Sequence, residues 1–321
     1  MSSDNPKSPV FERAFLAPRF WPTWLLLGFF WLIAQLPVRL NQAVGYGLGW
    51  LLFYLAPARR RIAAINIEYC FPELDARARD NMVRGVIYAC GLSFAETAMG
   101  LWGAKDKMRG RYELTGLEHI ENALAEGKGV LLMGSHLTTI DISGLIMSYH
   151  IKADVLYRSD PNPLMSYAIA KARSRVNDDA IQRNDTRKLI KNLRMGHIVW
   201  YAPDQDYGAK HSVFAPFFGI QAATVVATSR IAKLSGAAVI PFFCYREAKG
   251  RFRLVVQPPL DNFPSGDDVA DATRVNRILE DAIRVAPDQY LWVHRRFKTR
   301  PEGEPGFYPH KKRSRRRAVS G

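Results

Sequence analysis

The stretch Val130-Leu-Leu-Met-Gly-Ser-His-Leu-Thr-Thr-Ile-Asp141 decides the fold of this 321-residue chain. It begins with an apolar run, Val130 to Gly134, which is typical of a buried parallel strand. His136 follows that run directly, and Asp141 follows His136 five residues later. Because ligands of α/β sheets bind at the carboxyl ends of the strands, this segment is the first candidate for a functional site.

Segments typical of strands and helices alternate after this stretch. Strands are predicted over 153–157, 198–202, 237–245 and 251–257, the last two as a hairpin through Lys249-Gly250. Helices are predicted over 137–149, 163–175, 185–195, 223–235 and 267–285. This order predicts an α/β fold with a mixed sheet flanked by helices.

The residues before the first strand are predicted to be mostly helical. Periodicity indicates helices over 59–71 and over 75–102, the second with a possible break near Gly91. Thr115 to Glu118 fits a capping box that opens a helix ending at Gly127.

An uncharged segment near the N-terminus, FWPTWLLLGFFWLIAQLPV, runs over 20–38 between Arg19 and Arg39. At about 1.5 Å per residue it approaches the thickness of a bilayer's hydrocarbon core, so it predicts a membrane helix. A buried core helix is the alternative. The next uncharged segment, 40–58, is interrupted by three glycines and predicts helices that lie at the membrane interface or pack on the body.

The net charge of +15 indicates an anionic partner. Six of these charges lie in the run from Lys311 to Arg317. Such a tail is either a solvated, disordered end or a patch for anionic lipid. Nucleic acid is a rival partner, but no recognition motif accompanies the tail. The hydrophobic content of 48% excludes general disorder.

Three widely spaced cysteines, Cys70, Cys90 and Cys244, exclude a disulfide scaffold and favour a reducing compartment. They form no CxxC pair, which argues against a zinc site. This pattern favours the cytoplasmic face of a membrane, and we expect no metal and no cofactor.

His136 and Asp141 form the candidate catalytic pair. A carboxylate on one imidazole nitrogen fixes the tautomer and leaves the other nitrogen free as a general base. The two side chains can meet only if His136 lies in the turn before the helix and Asp141 in its first turns. The alternative is a histidine that only forms a capping or structural hydrogen bond.

The chain resembles the bacterial lipid A biosynthesis acyltransferases, the late lauroyl- and myristoyl-type enzymes that carry an HxxxxD motif. The resemblance covers nearly the whole chain. The matching segments are an N-terminal membrane helix, the basic stretch 59–61, the run 66–73, the HxxxxD motif at 136–141, Tyr157-Arg158 with Asn162-Pro163, Pro203-Asp-Gln-Asp206, Phe217-Phe-Gly219 and Gly236-Ala-Ala-Val-Ile-Pro241. The segment after Pro203 differs from the FPEGTRS-like block of glycerolipid acyltransferases, which share the motif and a similar fold.

The resemblance implies acyl transfer from acyl carrier protein to a hydroxyl of a phosphorylated lipid A precursor, at the cytoplasmic face of the bacterial inner membrane. His136 would act as base and Asp141 would orient it. Arg158 could stabilise an oxyanion, bind a phosphate or form a surface salt bridge. Further candidates for substrate binding are Asn162, Asp204, Gln205, Asp206, Arg295 and Arg296. The two aspartates are equally suited to capping, and the two arginines to a solvated tail.

The expected organisation is a flanking segment over 1–19, a membrane helix over 20–38, an interfacial and helical region over 39–110, a catalytic domain over 111–300 and a basic tail over 301–321. Three other functions remain open at this stage. They are an acyltransferase for glycerophospholipid or aminolipid, a membrane-anchored nucleic-acid-binding protein, and a lipid-binding scaffold without catalysis.

Overall fold

A computed structural model of the protein describes residues 10–157, 160–177 and 179–309. Arg158 and the basic run from Lys311 to Arg317 lie outside the described residues, as does most of the tail expected over 301–321.

The described residues contain a seven-stranded sheet and a separate two-stranded hairpin. The strands are β1 Tyr112–Thr115, β2 Val130–Met133, β3 Asp154–Tyr157, β4 Ala180–Gln182, β5 Ile198–Tyr201, β6 Ser212–Phe217, β7 Ile220–Val225, β8 Ala238–Arg246 and β9 Phe252–Val256. The order in the main sheet is β1-β9-β8-β2-β5-β3-β4, and β6 pairs with β7 in the hairpin. Neighbours in the main sheet are parallel except β8 and β9, which are antiparallel. The predicted mixed sheet and its hairpin are therefore confirmed, whereas β1, β4, β6 and β7 were not predicted.

Ten α-helices accompany the strands in the described part of the chain. They are α1 Trp21–Gln35, α2 Val38–Leu55, α3 Pro57–Cys70, α4 Ala76–Trp102, α5 Leu117–Ala125, α6 Ile140–Met147, α7 Pro163–Arg173, α8 Thr186–Arg194, α9 Ala227–Ser235 and α10 Asp268–Val285. Helix α4 passes through Gly91 without a break. Helix α9 starts later than predicted because residues 223–225 belong to β7.

The predicted capping box at Thr115 is wrong. Thr115 is the last residue of β1, and its hydroxyl donates to the carbonyl of Leu254 at 3.5 Å. The N-cap of α5 is Gly116, which adopts a left-handed φ of 80° and has no side-chain cap. A β-carbon there would lie 1.9 Å from the carbonyl oxygen of Val256, so the turn requires glycine.

The core lies on both faces of the sheet, and β2 contributes to each. Leu131 and Met133 pack on one face, while Val130 and Leu132 pack on the other. Successive side chains of a strand point to opposite faces, so a strand that is buried on both sides needs four apolar residues in a row. This burial fixes β2, and hence His136 beyond its end, in the middle of the sheet.

Glycines allow α2 and α4 to approach each other closely. A β-carbon on Gly91 of α4 would lie 2.2 Å from the backbone nitrogen of Gly49 on α2. Gly45 and Gly49 lie on the buried side of α2, facing α4. Two of the three glycines that were expected to interrupt the segment 40–58, Gly45 and Gly49, therefore lie at a helix–helix contact, and α2 continues through all three.

The membrane helix expected over 20–38 is not supported by the structure. Residues Trp21–Gln35 form α1, and the chain turns at Leu36-Pro37 before α2 begins. Among the described residues, no helix is both long enough and apolar enough to cross a membrane. Proline at position 37 explains the break, because it disfavours the helical conformation of the residue before it.

We predict that Gly91→Ala lowers the free energy of unfolding by about 3 kcal/mol, because the added methyl group overpacks the contact between α2 and α4. Gly47→Ala on α2 is the control, since a β-carbon there meets nothing within 4 Å. The control should be neutral or stabilise by up to about 1 kcal/mol. Urea unfolding measures both variants, and equal stability of the two would contradict the close contact.

Candidate active site

His136 lies in the turn between β2 and α6, at the carboxyl edge of the sheet. Backbone hydrogen bonds tie this turn to a later segment of the chain: Leu291 N–H donates to His136 O at 3.0 Å, and Thr138 N–H donates to Gln289 O at 2.8 Å. The hydroxyl of Thr139 donates to Cys244 O, at 2.6 Å, on β8. The backbone around His136 is thus held on two sides.

Asp204 is the carboxylate that contacts His136. Its Oδ1 lies 2.5 Å from His136 Nδ1, and its Oδ2 accepts the His136 backbone N–H at 2.7 Å. Asp204 follows β5, the parallel neighbour of β2, so the two strands end side by side. The Asp204 side chain is fully buried, whereas that of His136 is 23% exposed.

Electrostatics favour the charged form of both partners. Burial lowers the pKa of His136, but the charge and hydrogen bond of Asp204 outweigh it and leave that pKa above its ordinary value. Burial raises the pKa of Asp204, but His136 and Arg296 outweigh it and hold that pKa below its usual range. An ionised Asp204 can only accept, so Nδ1 carries the proton and Nε2 of the neutral ring is the free base.

Asp141 contacts other groups than His136. Its Oδ2 accepts from the hydroxyl of Thr97 at 2.8 Å, and its Oδ1 lies 3.6 Å from the guanidinium of Arg173. The prediction that Asp141 orients His136 is corrected accordingly: both residues occupy the positions that the spacing requires, but the Asp141 side chain faces α4 and α7. Gly100 explains this packing, since a β-carbon there would lie 2.7 Å from Asp141 O.

Two of the other predicted site residues have structural contacts. The Asn162 side chain caps α7 by accepting from Leu164 N and Met165 N, and it donates to the hydroxyl of Thr23 at 2.8 Å. The Asp206 carboxylate is buried and accepts from Gly208 N and from Thr299 N and Oγ1. Each side chain stabilises its own loop, which is the capping role that the sequence left open for Asp206.

The prediction that Arg296 binds substrate is wrong. Its side chain is 1% exposed and donates to Ala223 O at 2.7 Å and to Thr224 Oγ1 at 2.9 Å. Arg295 is half-buried, with its guanidinium 5.6 Å from the centre of the Tyr308 ring. Gln205 lies next to Asp204 and accepts a long hydrogen bond of 3.5 Å from the Tyr207 hydroxyl. Arg295 and Gln205 stay candidates for substrate binding.

The sequence reasoning missed a buried ion pair beside the His136 turn. Arg246, at the carboxyl end of β8, donates to both carboxylate oxygens of Glu96 on α4 at 2.6 Å and to Thr138 Oγ1 at 3.3 Å. The Gln289 amide holds the backbone N–H and C=O of Arg246 at 2.8 and 2.9 Å. The position of Arg246 at a strand end is the signal that could have indicated it.

Two cavities flank the segment from His136 to Asp141. One of about 100 Å³ lies beside Asp141 and Arg173 and has mainly apolar walls, including Leu132 and Phe242. A second, of about 340 Å³, lies between α2, α4 and the chain at Leu291, with Thr97 in its wall. Within residues 10–157, 160–177 and 179–309, no cluster of three or more His, Cys, Asp or Glu side chains could hold a metal ion.

Comparisons with known proteins place the chain in a family. Residues 8–299 match the profile described as bacterial lipid A biosynthesis acyltransferase. The lipid A biosynthesis lauroyltransferase of Escherichia coli K12 is 39% identical over 94% of this chain and 99% of its own length. The palmitoleoyltransferase of the same strain is 37% identical over 93% of this chain and 98% of its own, and the myristoyltransferase is 31% identical over 95% of each.

The chain therefore belongs to the bacterial lipid A biosynthesis acyltransferase family, whose activity is acyl transfer in lipid A biosynthesis. The solved 1-acyl-sn-glycerophosphate acyltransferase of Thermotoga maritima aligns with a TM-score of 0.36 at 16% identity, over 78% of this chain and 95% of that one. That likeness is too low to bear on the fold or on the site.

We predict that Glu96→Ala and Arg246→Ala each lower the free energy of unfolding by about 3–5 kcal/mol, because each leaves a buried charge without its partner. The double variant Glu96→Ala with Arg246→Ala should lower the free energy of unfolding by less than the sum of the two single losses. Glu247→Ala, in the exposed pair with Arg253, is the control and should cost less than about 1 kcal/mol. Additive losses in urea unfolding would show that the two buried charges are not coupled.

Proposed function

We propose that the protein transfers a fatty acyl chain from acyl carrier protein to a hydroxyl of a phosphorylated lipid A precursor. The observation that supports this most is the His136 ring at the sheet edge, whose Nδ1 is held by a buried carboxylate while its Nε2 has no hydrogen-bond partner among the described residues. Such a ring is a general base with a fixed tautomer. The relatives named above are lauroyl-, palmitoleoyl- and myristoyltransferases, so the donor is expected to carry a medium or long chain.

The proposed reaction needs no enzyme nucleophile. Nε2 of His136 removes the proton from the acceptor hydroxyl as its oxygen attacks the thioester carbonyl carbon. The carbon–sulfur bond then breaks, and the departing thiolate takes the proton back from the imidazolium. The products are an ester and a free thiol, and the histidine returns to its starting state.

Two other charged residues have proposed roles in this reaction. Asp141, five residues after His136, lines the apolar cavity together with Arg173, so both lie where an acyl chain could enter the site. Arg158 is the proposed stabiliser of the oxyanion or binder of a phosphate. The charge of the whole chain, +15, has the sign that suits an acidic carrier protein and a phosphorylated acceptor.

We also propose that the protein binds the inner membrane through α1 and α2, with its catalytic residues on the cytoplasmic side. These helices expose large apolar side chains, among them Trp21, Leu25, Leu32, Trp50 and Leu55. Residues 13–67 include six arginines and no acidic residue, so charge complements an anionic lipid surface. Free cysteines at positions 70, 90 and 244 agree with a reducing compartment.

We predict that His136→Ala abolishes transfer, because it removes the proposed acceptor of the hydroxyl proton. His197→Ala is a matched control: His197 also pairs with a buried aspartate, Asp154, at 3.0 Å, but it precedes β5 and so lies at the opposite edge of the sheet. Purified variants are assayed with acyl carrier protein thioester and either lipid A precursor or lysophospholipid. Transfer by His136→Ala contradicts the mechanism, and preference for lysophospholipid contradicts the acceptor.

We predict that the double variant Leu25→Glu, Leu32→Glu binds phosphatidylglycerol vesicles at least tenfold more weakly than the wild type. Each substitution removes about 2 kcal/mol of favourable free energy that the leucine side chain gains by leaving water. The exposed fractions of Leu25 and Leu32 are 77% and 60%. Val269→Glu with Val285→Glu on α10 is the control, since both valines are exposed away from α1 and α2. Equal binding of the two double variants in vesicle flotation would contradict the proposed surface.

A further inference from the structure

We propose that Asp204, not Asp141, is the positioning carboxylate of His136. This inference rests on the proposed role of His136 as the base and assigns the residue that makes the imidazole competent. It divides two carboxylates by role: Asp204 sets the tautomer and orientation of the ring, and Asp141 belongs to the wall of the apolar cavity.

The sheet brings Asp204 to His136 although 68 residues separate them in sequence. Strands β2 and β5 are parallel neighbours in register, with Met133 opposite Tyr201. The chain leaves both strands at the same edge of the sheet, and each partner lies three residues beyond its strand. The strand order of the sheet therefore brings the two residues together, and the sequence next to His136 does not predict this contact.

The Asp204 carboxylate makes two contacts with a single residue. Oδ1 faces Nδ1 of the ring at 2.5 Å, and Oδ2 accepts the His136 backbone N–H at 2.7 Å. One contact fixes where the residue sits, and the other fixes how its ring is turned and which nitrogen holds the proton. Together the two contacts leave Nε2 as the ring nitrogen without a hydrogen-bond partner in the described part of the chain.

Asp141 has its own partners on both oxygens. Thr97 donates to Oδ2, and Arg173 lies against Oδ1. These contacts direct the carboxylate toward α4 and α7, where it lines the apolar cavity.

Other titratable and charged groups near the pair come from several elements. The groups that interact electrostatically with His136 or Asp204 are Tyr201 at the end of β5, and Tyr290, His294 and Arg296 in the C-terminal segment; Asp206, in the loop after β5, acts on His294. Burial lowers the pKa of His294 to about 4, so this second histidine is neutral at pH values well above 4. Asp204 is thus the anion that contacts the ring directly.

The variant Asp204→Asn tests whether Asp204 orients the His136 ring or only stabilises the turn that carries it. One amide atom, the oxygen, can still accept a hydrogen bond from the His136 backbone N–H, so the turn keeps its anchor. The amide nitrogen then faces Nδ1 and donates to it, which moves the ring proton to Nε2. A ring with its proton on Nε2 cannot remove the proton of the acceptor hydroxyl.

The experiment compares wild type, Asp204→Asn, Asp204→Glu and Asp141→Asn in the full chain. Steady-state assays give kcat and KM across pH, and nitrogen NMR of labelled histidine gives the tautomer of His136. For Asp204→Asn we expect kcat to fall about 10³-fold or more with little change in KM, as for a base held in the wrong tautomer. The His136 proton should move from Nδ1 to Nε2, and Asp204→Glu should recover part of the rate.

The pH profile gives an independent readout. A neutral base is required, so the rate rises with pH through the pKa of His136. The Asp204 carboxylate raises that pKa, and its loss should therefore move the acid limb of the profile to lower pH. Asp141→Asn should leave the position of this limb and the tautomer unchanged, whatever it does to the maximal rate.

The opposite pattern overturns the inference: a wild-type tautomer and acid limb in Asp204→Asn, together with a shift of both in Asp141→Asn. If Asp204→Asn does not fold, the tautomer of the wild type decides, because a proton on Nε2 there is incompatible with the contact to Asp204. Failure of the proposed function is distinguishable, since it appears as transfer by His136→Ala or as no transfer by the wild type.

Discussion

The parallel alignment of β2, β5 and β8 is the constraint on which the rest of the site depends. Parallel neighbours end at the same edge, so His136 after β2, Asp204 after β5 and Arg246 at the end of β8 lie close together. Two of these side chains are charged and buried, and a buried charge is tolerated only when it is paired. The strands that form the core therefore also determine which polar groups meet, and fold and site cannot be altered independently.

Helix α4 is the second constraint, because it holds the segment from His136 to Asp141 at two of its residues, Thr138 and Asp141. Glu96 binds Arg246, which reaches Thr138, and the next residue, Thr97, binds Asp141. Consecutive residues of a helix point about 100° apart, so one helix can serve two neighbouring structures. These contacts require the neighbouring elements to lie close to α4. Gly91 and Gly100 allow this, because they have no side chain and so let α2 and α6 approach the α4 backbone.

The sequence predicted the parts of this arrangement that are local. The apolar run of β2, its carboxyl end and the position of His136 follow from adjacent residues, and so do the main helices and the β8–β9 hairpin. The partner of His136 was not predictable in this way, because spacing within the chain favoured Asp141 and only the strand order brings in Asp204. Arg296 shows the same limit: it sits in a basic stretch that suggests a solvated tail, yet hydrogen bonds to β7 enclose it. Strands as short as β4, with three residues, have too little periodicity to be detected.

The exposed apolar helices and the candidate active site are connected through α7. Asn162 caps the start of this helix and donates to Thr23 on α1, while Arg173 at its last position lies against Asp141. Eleven residues separate these ends by about 16 Å, so one rigid element links the surface proposed to contact lipid with the wall of the apolar cavity. Asp141 is therefore linked to α1 through α7, whereas His136 is held by Asp204 and by the segment at Leu291. The division between the two carboxylates gives the site a fixed base beside a wall that is coupled to the proposed membrane-binding helices.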